Sequence, residues 1–167
     1  MDRPLHGVLR GPSIPPPNKE HIVSDKALTY ESQVTWDTQR RGLAEAEARP
    51  VLAVGAPPEF GGSDDVWSPE HLTVAAVNTC MMLTFIAIAE NSKLRFSGYR
   101  SSAMATLEKV DGRGPVITRV NVYPRITIPP DTDRGRLERV LQMTKKNCFI
   151  SNSLNADVTL EAEIVIG

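Results

Sequence analysis

The sequence has few of the residues that build metal sites or disulfide frameworks. Its 167 residues include two cysteines and three histidines. The histidines do not pair with each other, or with a cysteine, at the spacing of metal ligands. Two cysteines are also too few for a disulfide-dense secreted scaffold. We therefore expect no metal site, and thiols that are either packed in a core or chemically active.

An excess of basic charge is also missing. Nineteen Lys and Arg residues stand against 20 Asp and Glu residues, and the basic residues are scattered along the chain. This balance argues against nucleic acid as a partner. Glycine motifs for phosphate or dinucleotide binding and the serine motif of hydrolases are absent. The first residues contain no apolar signal segment, which predicts a cytoplasmic protein with reduced thiols.

Proline marks one end of the chain. Residues 1–27 contain five prolines and little hydrophobic periodicity, which predicts an extended N-terminal arm. The length of the remaining stretch, residues 28–167, suits one globular domain with a single core.

Only one long apolar run is present. Ser68 and Pro69 are typical of a helix N-cap and first helical position, and Glu70 suits the first turn. From Leu72 to Ala89 the helix is apolar nearly all round. Its length is near the minimum for a membrane span. Because polar residues dilute the run and no second span exists, a buried central helix is the favoured interpretation.

Alternating apolar residues predict strands elsewhere, and a second helix is predicted after Asp133. The inward face of that helix ends at Cys148. The expected strands are residues 29–36, 43–47, 50–55, 94–110, 116–128 and 158–166, with a hairpin turn at 111–114 and a turn at 39–42. The order of elements predicts an α+β fold with antiparallel sheet.

Each of the two predicted helices carries one cysteine. Cys80 lies midway along the first helix, and Cys148 at the inner end of the second. Helices packed in one core can bring two sulfurs together, since a disulfide needs Cα atoms about 5.5 Å apart. Two packed thiols without a bridge are the alternative. A cation beside Cys80 would favour its thiolate, and the nearest candidates in the pattern are Arg40 and Arg41.

Two segments resemble those of a known family. The run Ser-Pro-Glu-His-Leu at 68–72, continuing through Ala-Ala at 75–76 to Cys80, resembles the "NPEEL-x-AAA…C" helix of the OsmC/Ohr organic hydroperoxide reductases. The run Lys-Lys-Asn-Cys-Phe-Ile-Ser-Asn-Ser-Leu at 145–154 resembles the family's second-cysteine segment. The resemblance covers residues 29–167.

The resemblance implies a fold and a set of roles. The fold is α+β, with OsmC-like antiparallel sheets packed around long central helices in an intertwined homodimer. Cys80 corresponds to the peroxidatic nucleophile and Cys148 to the resolving thiol. Glu70 corresponds to an acid that holds an arginine. The family's Arg-x-Gly turn matches Arg40, with Arg41 as the alternative.

Three features set this sequence apart or constrain it. Ser68 replaces the family's asparagine and still suits an N-cap. Phe149 replaces the proline that usually follows the second cysteine, which bears on how Cys148 approaches Cys80. Ten residues of straight helix separate Glu70 from Cys80 by about 15 Å. Either the helix breaks between them, or the site is assembled across subunits.

The implied activity is that of a thiol peroxidase involved in the stress response. It would reduce organic hydroperoxides, or hydrogen peroxide, through a Cys80 sulfenic acid and a Cys80–Cys148 disulfide. An external dithiol of the lipoyl type would restore the thiols, and no metal or organic cofactor is needed. Candidate pocket walls are Met82, Phe85 and Trp67, which could equally be core residues. The alternative is a non-catalytic small-ligand-binding or redox-sensing stress protein of the same fold.

Overall fold

The computed structural model describes residues 27–167. The predicted N-terminal arm, except its last residue, lies outside the described residues. Residues 27–31 carry no regular secondary structure, and residues 32–167 form one compact unit. The elements of that unit are β1 (Gln33–Thr38), β2 (Arg41–Glu45), β3 (Leu52–Gly55), α1 (Pro69–Asn91), β4 (Gly98–Val110), β5 (Gly114–Ile128), α2 (Arg134–Asn147), α3 (Phe149–Asn152), β6 (Asp157–Leu160) and β7 (Glu163–Ile166).

Helix α1 begins where the sequence predicts. Ser68 is the N-cap, its hydroxyl accepts a hydrogen bond from the His71 backbone N–H at 3.2 Å, and Pro69 is the first helical residue. One stripe of the helix is buried at four-residue steps, formed by Val77, Met81, Phe85 and Ala89. The sequence predicts a helix buried on all sides, but a single chain does not bury it in this way. Only 22% of the residues in its most apolar stretch are buried, and Leu83 is 56% exposed.

The long hairpin β4–β5 forms the sheet against which α1 packs. Its strands pair antiparallel from Gly98↔Thr127 to Val110↔Gly114. Alternate β5 side chains from Val120 to Ile128 are buried, as expected for a sheet with one face on a core. The first strand of this hairpin starts four residues later than predicted, because Leu94 packs in the core just after α1.

The last predicted strand differs from the expectation in direction. It consists of two short segments, β6 and β7, and both pair parallel with β5. The antiparallel expectation was therefore wrong for this edge of the sheet. The chain leaves β5, passes through α2 and α3 and returns on the same side, and such a crossover connection permits parallel pairing. Both segments keep the same register, with Arg119↔Asp157 and Arg125↔Glu163.

Strands β1, β2 and β3 form a separate antiparallel sheet. It joins the rest of the unit through a bridge between Val54 and Trp67, just before α1. Every residue of β1 is exposed, including Val34 at 70% and Trp36 at 73%. The alternating apolar residues of β1 that the sequence predicted therefore form a face that no described residue covers.

Helix α2 carries the second cysteine into the core. Asp133 is its N-cap and accepts a hydrogen bond from the Arg136 backbone N–H. Its buried face contains Leu137, Val140 and Thr144, as the sequence pattern predicts. Cys148 follows directly in extended conformation and also caps the short helix α3, which the sequence pattern did not reveal.

Candidate functional site

The two cysteine thiols lie beside each other in one core cluster. Cys148 is fully buried among Val77 and Met81 of α1 and Val120, Val122 and Val158 of the sheet. Cys80 packs against this cluster and is partly exposed. Both side chains are thiols in this structure. Solvent therefore reaches Cys80 but not Cys148.

The environment of Cys148 favours the protonated thiol. Burial raises the pKa of Cys148, and the neighbouring Cys80 thiol raises it further. The side chain and backbone of Ser151 act in the opposite direction and lower the pKa. Ser151 lies on α3, three residues after Cys148, so the short helix brings a hydroxyl to the second cysteine.

Phe149 does not interfere with the pairing of the two thiols. Its side chain is 68% exposed, on the first position of α3. Cys148 is already packed with Cys80 while Phe149 occupies the family's proline position. The first position of a helix is also where proline is readily accepted, since its N–H would have no helical partner.

Glu70 and the two candidate arginines are not paired within this chain. Arg40 donates to the Phe60 backbone carbonyl at 2.6 Å, and Arg41 forms a 3.0 Å ion pair with Asp65. Among the described residues, the buried Oε2 of Glu70 has no hydrogen-bond partner. A buried carboxyl oxygen without a donor is costly, so this position calls for a donor from outside the described residues.

The arginines nevertheless lie near the start of α1. Both line a groove of about 390 Å³ together with Val34, Trp36 and Pro69, the residue before Glu70. Helix α1 is continuous from Pro69 to Asn91. A helix break between Glu70 and Cys80 is therefore excluded, and the two side chains are held about 15 Å apart along one helix.

The loop after β3 fixes Asp65 in place. The Ser63 hydroxyl and the Arg41 guanidinium bind the Asp65 carboxylate and lower its pKa. A Cβ at Gly62 would lie 1.7 Å from the Ala56 carbonyl oxygen, so the loop requires glycine there.

The predicted pocket walls have different surroundings. Phe85 is fully buried and packs on Phe96 and Tyr99, in a core cluster that does not contain the cysteines. It is a core residue of this chain rather than a wall beside Cys80. Met82 is half-buried. Trp67 is 46% exposed and lines a shallow cavity with Asp64, Asp65 and His71.

Two contributors to the site were missed by reasoning from the sequence. Asp65 belongs to no recognisable motif, and its partner Arg41 lies 24 residues away in the sequence. Ser151 had one available signal, its position three residues after Cys148, where a turn of helix returns to the capping residue.

Within residues 27–167 no three His, Cys, Asp or Glu residues are grouped as metal ligands.

The fold and the thiol pair define an α+β protein with two neighbouring cysteine thiols in one core. The family of OsmC-like proteins matches residues 62–163. The chain belongs to this family, which confirms the resemblance recognised in the sequence. Two curated relatives, each named peroxiredoxin OsmC, are from Escherichia coli K12 and Shigella flexneri. Each is 25% identical over 97 residues, which are 58% of this chain and 66%, just under two thirds, of the relative.

Solved structures share the fold. An OsmC-like protein of unknown function from Vibrio cholerae has a TM-score of 0.75 at 23% identity, over 82% of this chain and all of its own. An organic hydroperoxide resistance protein from Elizabethkingia anophelis has a TM-score of 0.68 at 16% identity, over 86% of this chain and 99% of its own. The OhrB protein of Bacillus subtilis has a TM-score of 0.61 at 19% identity, over 80% of this chain and 98% of its own. The predicted α+β, OsmC-like fold class is confirmed.

Proposed function

We propose that this chain is a cysteine-based peroxidase that reduces organic hydroperoxides in the cytoplasm. The observation that carries the proposal is the pairing of a partly exposed Cys80 with a fully buried Cys148 in one cluster. The names of its relatives, peroxiredoxin OsmC and organic hydroperoxide resistance protein, support the same chemistry.

The first half of the reaction takes place at Cys80. Its thiolate attacks the terminal oxygen of the hydroperoxide, the O–O bond breaks, and the alkoxide leaves as an alcohol after taking a proton. Cys80 becomes a sulfenic acid.

The second half uses Cys148. Its sulfur attacks the Cys80 sulfenic acid, an S–S bond forms, and the hydroxyl group leaves as water after protonation. Two electrons from an external dithiol, of the lipoyl type that the family resemblance implies, then return both cysteines to thiols. No metal or organic cofactor takes part in these steps.

The complete site is proposed to require a second copy of this chain. The outer side of α1 is apolar and exposed, and β1 exposes Val34 and Trp36. Within residues 27–167, a buried oxygen of Glu70 has no donor. A homodimer would cover the apolar faces and would let an arginine of one subunit reach Glu70 of the other. Arg40 is the first candidate and Arg41 the second.

Steady-state consumption of cumene hydroperoxide with dihydrolipoamide as reductant tests the proposal. We expect Cys80→Ser to lose turnover completely. Cys148→Ser should still form one equivalent of alcohol in the first turnover, but no disulfide. Thr79→Ser, at the exposed neighbour of Cys80, is the matched control and should retain wild-type turnover. Unchanged consumption by Cys80→Ser would refute the peroxidase.

A redox-sensing role is the second candidate, favoured by one observation. Within the described chain, the hydrogen bonds of Arg40 and Arg41 go to Phe60 and Asp65 rather than to either cysteine. A sensor would form the Cys80–Cys148 disulfide once per oxidation, with slow turnover by the reductant. Sustained rapid turnover with a dithiol excludes the sensor and supports the enzyme.

A further inference from the structure

Ser151 is a buried hydroxyl that the reaction above does not use. Its Oγ has no hydrogen-bond partner among the described residues, although the atom is inaccessible to solvent. A buried hydroxyl without a partner carries a desolvation cost that calls for an explanation. Ser151 is the third residue of α3, and Cys148 is the residue that caps that helix.

The capping geometry makes Cys148 the natural acceptor for Ser151. The side chain of an N-cap residue usually accepts a hydrogen bond from the backbone N–H of the second or third residue of the helix. The hydroxyl of that third residue, Ser151, also lies close enough to Cys148 to lower its pKa. As a thiol, Cys148 makes no such capping bond in this structure. A thiolate is a far better acceptor than a thiol, because hydrogen bonds to charged groups are stronger than those to neutral ones.

We propose that Ser151 is the hydrogen-bond donor to the Cys148 thiolate when the disulfide is reduced, and thereby fixes Cys80 as the sulfur that the reductant attacks. This inference rests on the Cys80–Cys148 disulfide of the proposed function. An external thiolate attacks the Cys80 sulfur and a new S–S bond forms there. The Cys80–Cys148 bond breaks, and its electron pair leaves on Cys148.

Solvent access favours this direction, and Ser151 offsets part of the effect by which burial makes Cys148 a poorer leaving group. Cys148 has no exposed surface, whereas Cys80 is partly exposed, so an external thiol reaches Cys80 first. Ser151 lowers the pKa of Cys148 against the effect of burial. A thiol of lower pKa leaves faster in thiol–disulfide exchange. The second thiol of the reductant then attacks the reductant's own sulfur in the mixed disulfide, so that an S–S bond forms within the reductant and Cys80 leaves as a thiolate that takes up a proton.

The experiment starts from the full-length protein oxidised to the disulfide with diamide, so that it does not depend on peroxidase activity. A small amount of 2-mercaptoethanol is added, the reaction is quenched with acid, and peptide mass spectrometry identifies the cysteine that carries the adduct. We expect the adduct on Cys80. Ser151→Ala should reduce the rate of disulfide cleavage by about three- to tenfold, the effect of one lost hydrogen bond to a leaving thiolate.

Two further variants separate a chemical role from a structural one. Ser151→Thr keeps the hydroxyl and should restore most of the rate. Ser153→Ala removes a neighbouring serine whose hydroxyl donates to the Phe149 carbonyl, and should leave the rate unchanged. In a Cys80→Ser background, Ser151→Ala should raise the pKa of Cys148, which is measured from the ultraviolet absorbance of the thiolate. A loss of packing alone would not raise this pKa.

Each outcome decides for or against the inference. An adduct on Cys148, or equal cleavage rates for wild type and Ser151→Ala, overturns it. Failure of diamide to form the disulfide also overturns it, together with the proposed resolution step. A disulfide that forms and is cleaved as expected in a protein without peroxide turnover supports the role of Ser151 and refutes only the proposed peroxidase.

Discussion

At the scale of single residues, the burial of Cys148 sets a pH dependence for the resolution step. Since burial and Cys80 raise the pKa of Cys148, the thiolate fraction is small at neutral pH and grows as the pH rises through the alkaline range. The thiolate is the attacking form. We therefore expect disulfide formation after one equivalent of organic hydroperoxide to accelerate from neutral to alkaline pH, measured by rapid alkylation and mass spectrometry.

The control for this profile replaces the internal thiol by an external one. In Cys148→Ser, added 2-mercaptoethanol resolves the Cys80 sulfenic acid, and its rate should follow the ordinary pKa of that free thiol. A wild-type profile that is flat, or that falls as the pH rises, would contradict a resolving role for the buried Cys148 thiol.

The residue patterns predicted part of the site and could not predict the rest. The sequence allowed Cys80 and Cys148 to be neighbours, because Cys80 lies midway along an apolar helix and Cys148 ends the inward face of the second helix. Periodicity reports the second of these positions directly. The ion pair between Arg41 and Asp65 depends on a loop that folds back across 24 residues, for which the sequence has no periodic signal. Ser151 became visible only once α3 was seen to start at Cys148.

At the scale of elements, Ser68 holds the start of the helix that carries Cys80. It is almost completely buried, accepts from the His71 N–H, and lies 3.0 Å from the His71 ring nitrogen Nδ1. We expect Ser68→Ala to lower the free energy of unfolding by about 1–2 kcal/mol, the usual cost of a lost N-cap. Denaturant unfolding followed by circular dichroism measures it.

Thr79→Ala is the matched control for the cap. Thr79 is exposed in the same helix, where alanine has the higher helix propensity. This variant should be as stable as wild type or slightly more stable. Equal losses for Ser68→Ala and Thr79→Ala would show that the cap itself contributes nothing specific.

The elements themselves were largely predictable, and the exceptions have physical causes. The caps at Ser68 and Asp133 were read correctly because capping depends on local chemistry. The parallel pairing of β6 and β7 was not, since alternation reports which face of a strand is buried and says nothing about strand direction. The exposure of β1 was missed because its alternating pattern gives no information about what covers it.

At the scale of the whole molecule, one chain leaves a large apolar surface uncovered. Leu83 lies on the outer side of α1 and is 56% exposed. Under the proposed homodimer, Leu83→Glu places a charge in the interface of both subunits. We expect it to weaken the dimer by at least about 100-fold, from the lost burial of two leucine side chains. Analytical ultracentrifugation over a range of concentrations measures the change.

Met104→Glu controls for the general effect of a new surface charge. Met104 is 59% exposed on β4, on the side of the sheet that faces away from α1. The dimer of this variant should be as stable as that of wild type. A wild-type chain that is monomeric at micromolar concentration, or a Leu83→Glu variant with unchanged association, would contradict a dimer built on α1.

The most direct measurement is a single turnover of the reduced protein with one equivalent of cumene hydroperoxide, without reductant. Alcohol is quantified by chromatography, and disulfide-linked peptides are identified by mass spectrometry. We expect one equivalent of alcohol for each equivalent of Cys80–Cys148 disulfide. Two results would contradict the two-cysteine peroxidase. One is alcohol formed without this disulfide, and the other is peroxide left intact with no disulfide formed.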